Sequence, residues 1–322
     1  MSTTRDVLAG VCSQIPRRLE RLSQVRGYFT LTTSRCQGTK HGSAALDKAQ
    51  AELSLCARSG RQIPLSTRRT LPYNFYMNPA RQDPLSSPTK AMIFAAGIGS
   101  RLKDLTKDTP KCLMQVGGVA MLERVVERLK AVGVRSIVIN THHHAEKVVA
   151  FVENRQRFGI EITLSHEPSL LDTGGGLKKV KDLFAGEPSF FLHNADVYCE
   201  SDLGHLIARH QARGALATLA VMTRESKRGL FMNSAMELVG WTSERLPAPS
   251  NATQYAFSGI SICSPSVFSY MPGGDTFSII EPLLACARAT HAVFGVSIDP
   301  RTWVDIGTPE QLAALQARFE PR

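Results

Sequence analysis

Apolar residues in the first 89 positions keep no sustained period: helical spacing is weak over 15–25 and again over 44–56, and neither stretch builds a face that a core could use. From residue 90 the pattern changes. Ala91 to Ala96 run apolar without a break and stop at Gly97, which predicts a strand buried on both faces of a parallel sheet. Met121, Leu122, Val125, Val126, Leu129 and Val132 then recur at helical spacing, with Gly133 as the stop. A strand over 136–140, a helix over 145–156, a strand over 160–165, a helix over 176–184, a strand over 189–193, a helix over 203–213 and a strand over 217–222 continue the alternation. After Thr223 the signal is mixed, with strands over 236–241, 255–263 and 293–298, helices over 265–270 and 278–289, and a closing helix over 309–319. The pattern predicts an α/β fold: a doubly wound, mixed and mainly parallel sheet of Rossmann-like type, with a short antiparallel extension that walls one side of the site.

Composition supports folding and narrows the setting. The 322 residues are 43% hydrophobic and 20% charged, enough for one large domain or two small ones with a real core. No apolar run approaches the roughly 18 residues of a membrane span, and no leader of secretory type opens the chain, so no membrane partner is expected. Seven cysteines lie scattered without a C-x-x-C pair, and their odd number fits reduced thiols in a cytoplasmic protein better than a disulfide framework.

The net charge of +10 changes meaning once it is located. Residues 1–89 hold 13 Lys/Arg against 5 Asp/Glu, whereas residues 90–322 hold 25 against 23. A nucleic-acid reading would rest on the first segment, and no specific nucleic-acid partner is expected of the rest. That Arg-rich, acid-poor segment fits a disordered basic tail, a transit peptide, or translated upstream sequence with initiation at Met77, the reading favoured here. The domain division is therefore a basic extension over 1–89 and one domain over 90–322.

The chemistry begins where the first strand hands over to a loop. Ala95-Ala96-Gly97-Ile98-Gly99-Ser100-Arg101-Leu102 places glycines at the carboxyl end of a buried strand, where bare backbone N–H groups can approach phosphate oxygens. Leu102 breaks a dinucleotide fingerprint, and no Gly-Lys-Ser/Thr follows to make a P-loop. Arg101 in the loop and Lys111 in Thr109-Pro110-Lys111 add two cations beside the turn. Either one separately would be an ordinary solvated charge; together they can neutralise a triphosphate.

The run Ala95 to Arg101, followed by Pro110-Lys111, resembles the signature of the sugar-phosphate nucleotidylyltransferases over roughly residues 90–320. The resemblance implies that Ala95, Ala96 and Gly97 approach the base and ribose, while Gly99, Ser100, Arg101 and Lys111 hold the phosphates. It implies a nucleoside triphosphate and a sugar 1-phosphate as partners, and Mg²⁺ as cofactor. Phe94 and Cys112 depart from the usual residues at their positions without removing a charge.

Three further blocks fit that frame. Leu171-Asp172-Thr173-Gly174-Gly175-Gly176 reads either as a glycine-opened loop for a flat heterocycle or as a capped helix start; the resemblance assigns Thr173 and Gly175 to the base. Asp196 emerges after the apolar strand ending at His193, where a hard oxygen ligand suits Mg²⁺ and a turn aspartate is the competing reading. Asp305, in Val304-Asp305-Ile306-Gly307-Thr308-Pro309, is an acid in an apolar strand that needs a partner or an ion. The resemblance makes both aspartates metal ligands. It also places Gly259, in Phe257-Ser258-Gly259-Ile260, near the hexose, with Asn140 as a second contact. The Glu-Lys pair that many members carry in a later helix has no counterpart in Ser278-Ile279-Ile280-Glu281-Pro282. His142-His143-His144 reads as a polar strand-to-helix loop rather than a metal site, because adjacent side chains diverge. The alternative to an enzyme is a non-catalytic nucleotide-sugar-binding or regulatory homologue of the same fold.

Overall fold

The structure, a computed structural model, describes residues 87–320. The basic segment and the start expected at Met77 lie outside the described residues. In chain order the strands are β1 (Lys90–Phe94), β2 (Gln115–Val116), β3 (Val119–Ala120), β4 (Ser136–Thr141), β5 (Glu161–His166), β6 (Phe190–Asn194), β7 (Val197–Cys199), β8 (Ala217–Met222), β9 (Gly229–Met232), β10 (Leu238–Trp241), β11 (Thr253–Cys263), β12 (Val293–Ser297) and β13 (Trp303–Asp305). The α-helices are α1 (Met121–Ala131), α2 (Ala145–Asn154), α3 (Asp172–Lys179), α4 (Leu203–Arg213), α5 (Ile280–Thr290) and α6 (Pro309–Gln316).

Nine strands form one sheet in the order β10-β9-β11-β6-β1-β4-β5, with β8 pairing β11 and β12. The β6-β1-β4-β5 run is parallel, and Phe94 stands level with Asn194 on one side and Asn140 on the other. Alternation splits the core into two layers, as a twofold side-chain period requires. Ala91, Ile93, Ile137, Ile139 and Phe191 face the layer that holds α1 and α2, while Met92, Val138, Phe190 and Leu192 face the one that holds α3 and α5. In α1, Leu122, Val125, Val126 and Leu129 are all buried, at the spacing read from the sequence. Truncating Leu129 to Ala would cost about 2–5 kcal/mol through lost transfer energy and the cavity left behind.

Beyond β6 the sheet turns antiparallel. The long strand β11 pairs β6 over 260–263, β9 over 253–256 and β8 along much of its length, and its register against β8 slips between Phe257 and Ser261. Three residues of β11 there, 258–260, stand against one of β8, Ala220, a bulge that re-aims the chain beside the site. Gly259 sits in the bulge at φ +81, where any other residue would be strained.

Most element boundaries follow the periodicity, and the exceptions have identifiable causes. α3 begins at Asp172 rather than at Gly176, because its three glycines are helical and buried instead of forming an open loop. The short strands β7 and β9 escape a periodicity reading because three or four residues carry too little signal. Residues 265–270 form a 3-10 helix, its entry fixed by the Ser264 hydroxyl accepting from Ser266 N–H at 3.3 Å.

Candidate functional site

The carboxyl ends of β1, β4 and β6 open into a cavity of about 490 Å³. After Phe94 the chain runs through Ala95, Ala96 and Gly97 to Gly99, which takes φ +65 and starts the 3-10 helix Ser100–Thr106. Any side chain on Gly99 would meet Thr106 Cγ2 at 2.7 Å, so glycine is required by both conformation and space. Gly97 is different: nothing lies within 4 Å of where its Cβ would be, which leaves bare backbone facing the cavity. Ala95, Ala96, Gly97, Gly99, Ser100, Arg101 and Lys111 all line this space.

A buried polar chain ties three loops together beneath it. Ala95 N–H donates to Asn140 Oδ1 at 2.8 Å, Asn140 Nδ2 donates to Glu167 Oε1 at 2.7 Å, and Leu171 N–H donates to Glu167 Oε2 at 3.1 Å. Asn140 is 2% exposed and Glu167 is fully buried. Both ends of the Asn140 amide are thus occupied, and its side chain lines the first cavity rather than the second. Sequence reasoning missed Glu167; the acid closing the stretch after β5, between His166 and Pro168, was the available signal.

The glycines of α3 serve packing as well as openness. A Cβ on Gly176 would meet Glu167 Oε1 at 2.6 Å, and one on Gly174 or Gly175 would collide with Phe277 or the Asp275 carbonyl. Gly175 therefore presses against the 275–277 segment and does not line the cavity. Thr173 lines both cavities, its hydroxyl accepting from Ile279 N–H at 3.0 Å. Asp172 stands beside it at φ +59, a conformation costly for a non-glycine residue.

Asp196 lines the opposite side of the cavity, and Asp305, which does not line it, is brought beside it from a distant part of the chain. β7 and β13 pair antiparallel with Asp305 opposite Val197, and Ile306 N–H donates to the Asp196 carbonyl at 3.0 Å. Asp196 forms an ion pair with Lys111, whose side chain is only 11% exposed. Asp305 Oδ1 accepts from Gly307 N–H at 2.9 Å, and the Arg224 guanidinium lies 4.0 Å from its other oxygen while stacking over the Trp303 ring at 4.5 Å. A Cβ on Gly307 would stand 2.7 Å from Asp305 Oδ1 and 2.9 Å from Arg101 Nη2, so this glycine lets the guanidinium and the carboxylate close over one point of the rim.

The donor set fits a hard divalent cation brought by phosphates: two carboxylates on adjoining backbones leave its other positions to phosphate and water oxygens. Among the described residues no cluster of three or more His, Cys, Asp and Glu gathers, so a cage made wholly of protein ligands is not what the rim offers. Adjacent histidine side chains do not all diverge, since the His143 and His144 rings stand 3.9 Å apart, but His142 Nδ1 lies 2.7 Å from the Glu167 carbonyl oxygen and His144 Nε2 lies 2.9 Å from that of Lys107. Burial pushes the Cys112 thiol up to about 12, which removes it as a nucleophile. Burial likewise pulls His193, beneath the rim, down to about 4, so it is neutral at pH 7.

A second cavity of about 240 Å³ adjoins the first through Phe94, Asp172, Thr173 and Asn194, which line both. Gly259 forms part of its wall, and a Cβ there would meet Asn194 Nδ2 at 2.6 Å. Ser226, Arg228 and Trp241 complete the far side. Asn194, Arg224 and Arg228 were not singled out from sequence, and Asp172 was read only as part of a capped helix start; Asn194 carried a signal, as a polar residue closing an apolar strand just before Asp196.

Residues 90–320 match the family model described as nucleotidyl transferase. The chain is 32% identical over 245 residues to an N-acetylmuramate alpha-1-phosphate uridylyltransferase of Caulobacter vibrioides, covering 72% of this chain and 98% of that protein. It is also 32% identical over 228 residues to a mannose-1-phosphate guanyltransferase of Schizosaccharomyces pombe, covering 69% of this chain and 61% of the yeast protein. Its fold matches that of a putative glucose-1-phosphate thymidylyltransferase from Bacillus anthracis with a TM-score of 0.62 at 22% identity, over 71% of this chain and 94% of that one.

Proposed function

The chain belongs to the nucleotidyl transferase family, and on that premise we propose that it joins a nucleoside triphosphate to a sugar 1-phosphate, with Mg²⁺, and releases pyrophosphate. An oxygen of the sugar phosphate attacks the α-phosphorus; that P–O bond forms as the α–β bridging P–O bond breaks, and the electron pair leaves on pyrophosphate. A phosphate monoester is largely dianionic at neutral pH, its second pKa being about 6, so no general base is needed. The chain's task is to align two polyanions and offset their repulsion, which is positioning and electrostatics.

One observation carries the reading: the β7–β13 pairing brings Asp196 and Asp305 to a rim that Arg101 and Lys111 share. Arg101 and Lys111 hold phosphate oxygens, and Ala95 to Gly97 offer backbone to the nucleoside. The Asn140–Glu167 tie fixes that backbone from below. Asp196 and Asp305 would hold Mg²⁺, which would supply positive charge against the phosphates. Lys111, paired with Asp196 here, would lie within reach of phosphate oxygens in the same cavity. The second cavity takes the sugar, with Gly259 and Asn194 on its wall. A reducing, cytoplasmic setting suits Cys112, Cys199, Cys263 and Cys286, all buried and unpaired.

The deciding experiment is a screen of pyrophosphate release over five nucleoside triphosphates and a set of sugar 1-phosphates at saturating Mg²⁺. Turnover with at least one pair, abolished by chelation, is the expected result. Tight nucleotide-sugar binding without turnover of any pair would make the chain the non-catalytic homologue instead.

A further inference from the structure

The loop between β8 and β9 reads Thr223-Arg224-Glu225-Ser226-Lys227-Arg228, and its end is held from three directions. Gln254 Nε2 donates to the Ser226 carbonyl at 2.8 Å, the Thr242 hydroxyl donates to the Lys227 carbonyl at 3.1 Å, and Arg228 N–H donates to the Ser226 hydroxyl at 3.2 Å. Gly229 then enters β9 opposite Ala256. The backbone of Arg228 is thereby fixed on the wall of the second cavity.

Its guanidinium is not fixed. Among the described residues it makes no hydrogen bond or ion pair, whereas Lys111 is paired with Asp196 and Arg224 sits by Asp305. Asp172, the acid that lines this cavity, has its carboxylate turned to Thr173 N–H at 2.6 Å. Much of the remaining wall is apolar, with Leu230, Trp241, Phe257 and Ile279. Arg228 is an exposed cation at the edge of that wall, free to turn toward an anion in the cavity.

Which anion follows from position. The reacting phosphate must reach the α-phosphorus across the boundary that Phe94, Asp172, Thr173 and Asn194 form between the two cavities. Arg228 lines the second cavity and not the first, where Asp196, Lys111 and the glycine loop lie. The charge that Arg228 meets therefore sits on the sugar, away from the anomeric phosphate. One guanidinium balances one carboxylate and matches its two oxygens with paired N–H donors, whereas a second phosphate would bring about −1.5 to −2. We infer that the second cavity selects a sugar 1-phosphate bearing a carboxylate, and that Arg228 is the residue that discriminates it from the neutral sugar. The inference rests on the second cavity being the acceptor site.

The test uses matched pairs that differ by one acidic substituent: glucose 1-phosphate against glucuronate 1-phosphate, and N-acetylglucosamine 1-phosphate against N-acetylmuramate 1-phosphate. Pyrophosphate release is measured with each over the five triphosphates, and binding of each to the full chain is measured by calorimetry without nucleotide. The acidic member of at least one pair should be preferred about tenfold or more in kcat/KM. Arg228→Ala should lower kcat/KM for that member about tenfold to a hundredfold more than for its neutral partner, the range of one charge-assisted pair. Arg228→Lys should restore part of the difference, keeping the charge without the planar fork. Equal handling of both members in both pairs would overturn the inference and leave the enzymatic reading standing. So would an Arg228→Ala loss of the same size for both members, since the arginine would then serve the common phosphate. If nothing turns over, the enzymatic reading fails, and calorimetry still decides: binding without preference for the acidic member overturns the inference.

Discussion

On the β6-β1-β4-β5 side of the sheet the strands run parallel and deliver their following loops to the same edge. Ala95 to Arg101 after β1, Asn140 near the end of β4, Glu167 after β5 and Asp196 after β6 reach the first cavity in that way. On the β11-β9-β10 side the strands alternate in direction, and the second cavity is assembled from a bulge at Gly259, a strand end at Trp241 and the loop ending at Arg228. The parallel half is positioned by topology, which any sequence of this fold inherits. The antiparallel half is positioned by local irregularities, each of which can differ without disturbing the sheet. On the proposed function, chemistry common to all substrates belongs to the first half, and discrimination between acceptors to the second.

The largest effects should come from the rim of the parallel half. Asp196→Asn and Asp305→Asn should each lower kcat by about a hundredfold to a thousandfold, on the scale of losing one preorganised electrostatic group, and by the same factor for every acceptor. The apo proteins should differ. Asp196→Asn leaves the mostly buried Lys111 without its carboxylate and should lower the thermal midpoint, a loss of about 1–3 kcal/mol. Asp305→Asn keeps an oxygen for Gly307 N–H and should melt near wild type. Turnover within tenfold of wild type in either variant would remove that aspartate from the reaction.

Next comes Arg101, held over Gly307 rather than paired to a carboxylate. Arg101→Ala should lower kcat and kcat/KM together by about a hundredfold, the pattern of a contact made in the transition state. Gly307→Ala tests the same point from below, since its methyl would stand 2.9 Å from Arg101 Nη2 and 2.7 Å from Asp305 Oδ1. It should cost a substantial part of the same factor with nucleotide binding retained. A rise in the KM for nucleotide alone would make Arg101 an anchor and not a catalytic group.

Crossing to the antiparallel half, Gly259→Ala should raise KM for the acceptor about tenfold while nucleotide KM moves little. The residue sits at φ +81, and the added methyl would meet Asn194 Nδ2 at 2.6 Å, so the Asn194 side chain must leave its place between the cavities. Steady-state titration of each substrate at saturating levels of the other separates the two constants. An equal rise in both would show that the halves are not independent.

The contrast between halves also explains what could be read from the amino-acid order. Ala95 to Arg101 and Lys111 were legible because a buried strand and its following loop are contiguous, so the chemistry lies next to the periodicity that locates it. Asp305 was legible as an acid within an apolar run. Its pairing across β7 was not, because a three-residue strand has no period to detect. The glycines at 174–176 read equally as an open loop or a capped helix start, since nothing in the sequence reveals that Phe277 and Asp275 press against them from a hundred residues away. Arg228 gave no signal at all: an arginine in a polar loop is usually a solvated charge, and only the fold places this one in a cavity.

The smallest effect expected concerns Glu167, which acts through other residues of the parallel half. Its carboxylate is fully buried and accepts from both Asn140 Nδ2 and Leu171 N–H, while Asn140 Oδ1 accepts from Ala95 N–H. In Glu167→Gln one acceptor becomes an NH2 group, which then faces either Asn140 or the Leu171 amide. Asn140 can turn over to meet it, but its own NH2 then faces Ala95 N–H, so one donor in the chain must lose its acceptor. An unmet amide of this kind costs about 1–3 kcal/mol, and the loss falls on the backbone at Ala95 and on the Leu171 end of the base loop. The variant should therefore show a raised KM for nucleotide, a few-fold at most, with kcat and acceptor KM near wild type and a lower thermal midpoint. Asn140→Asp, which loses its donor to Glu167 and sets two carboxylates together, should be worse in both respects. If Glu167→Gln instead shifts the acceptor constant, the tie reaches across β6 into the other half, and the division of labour between the two sides of the sheet is wrong.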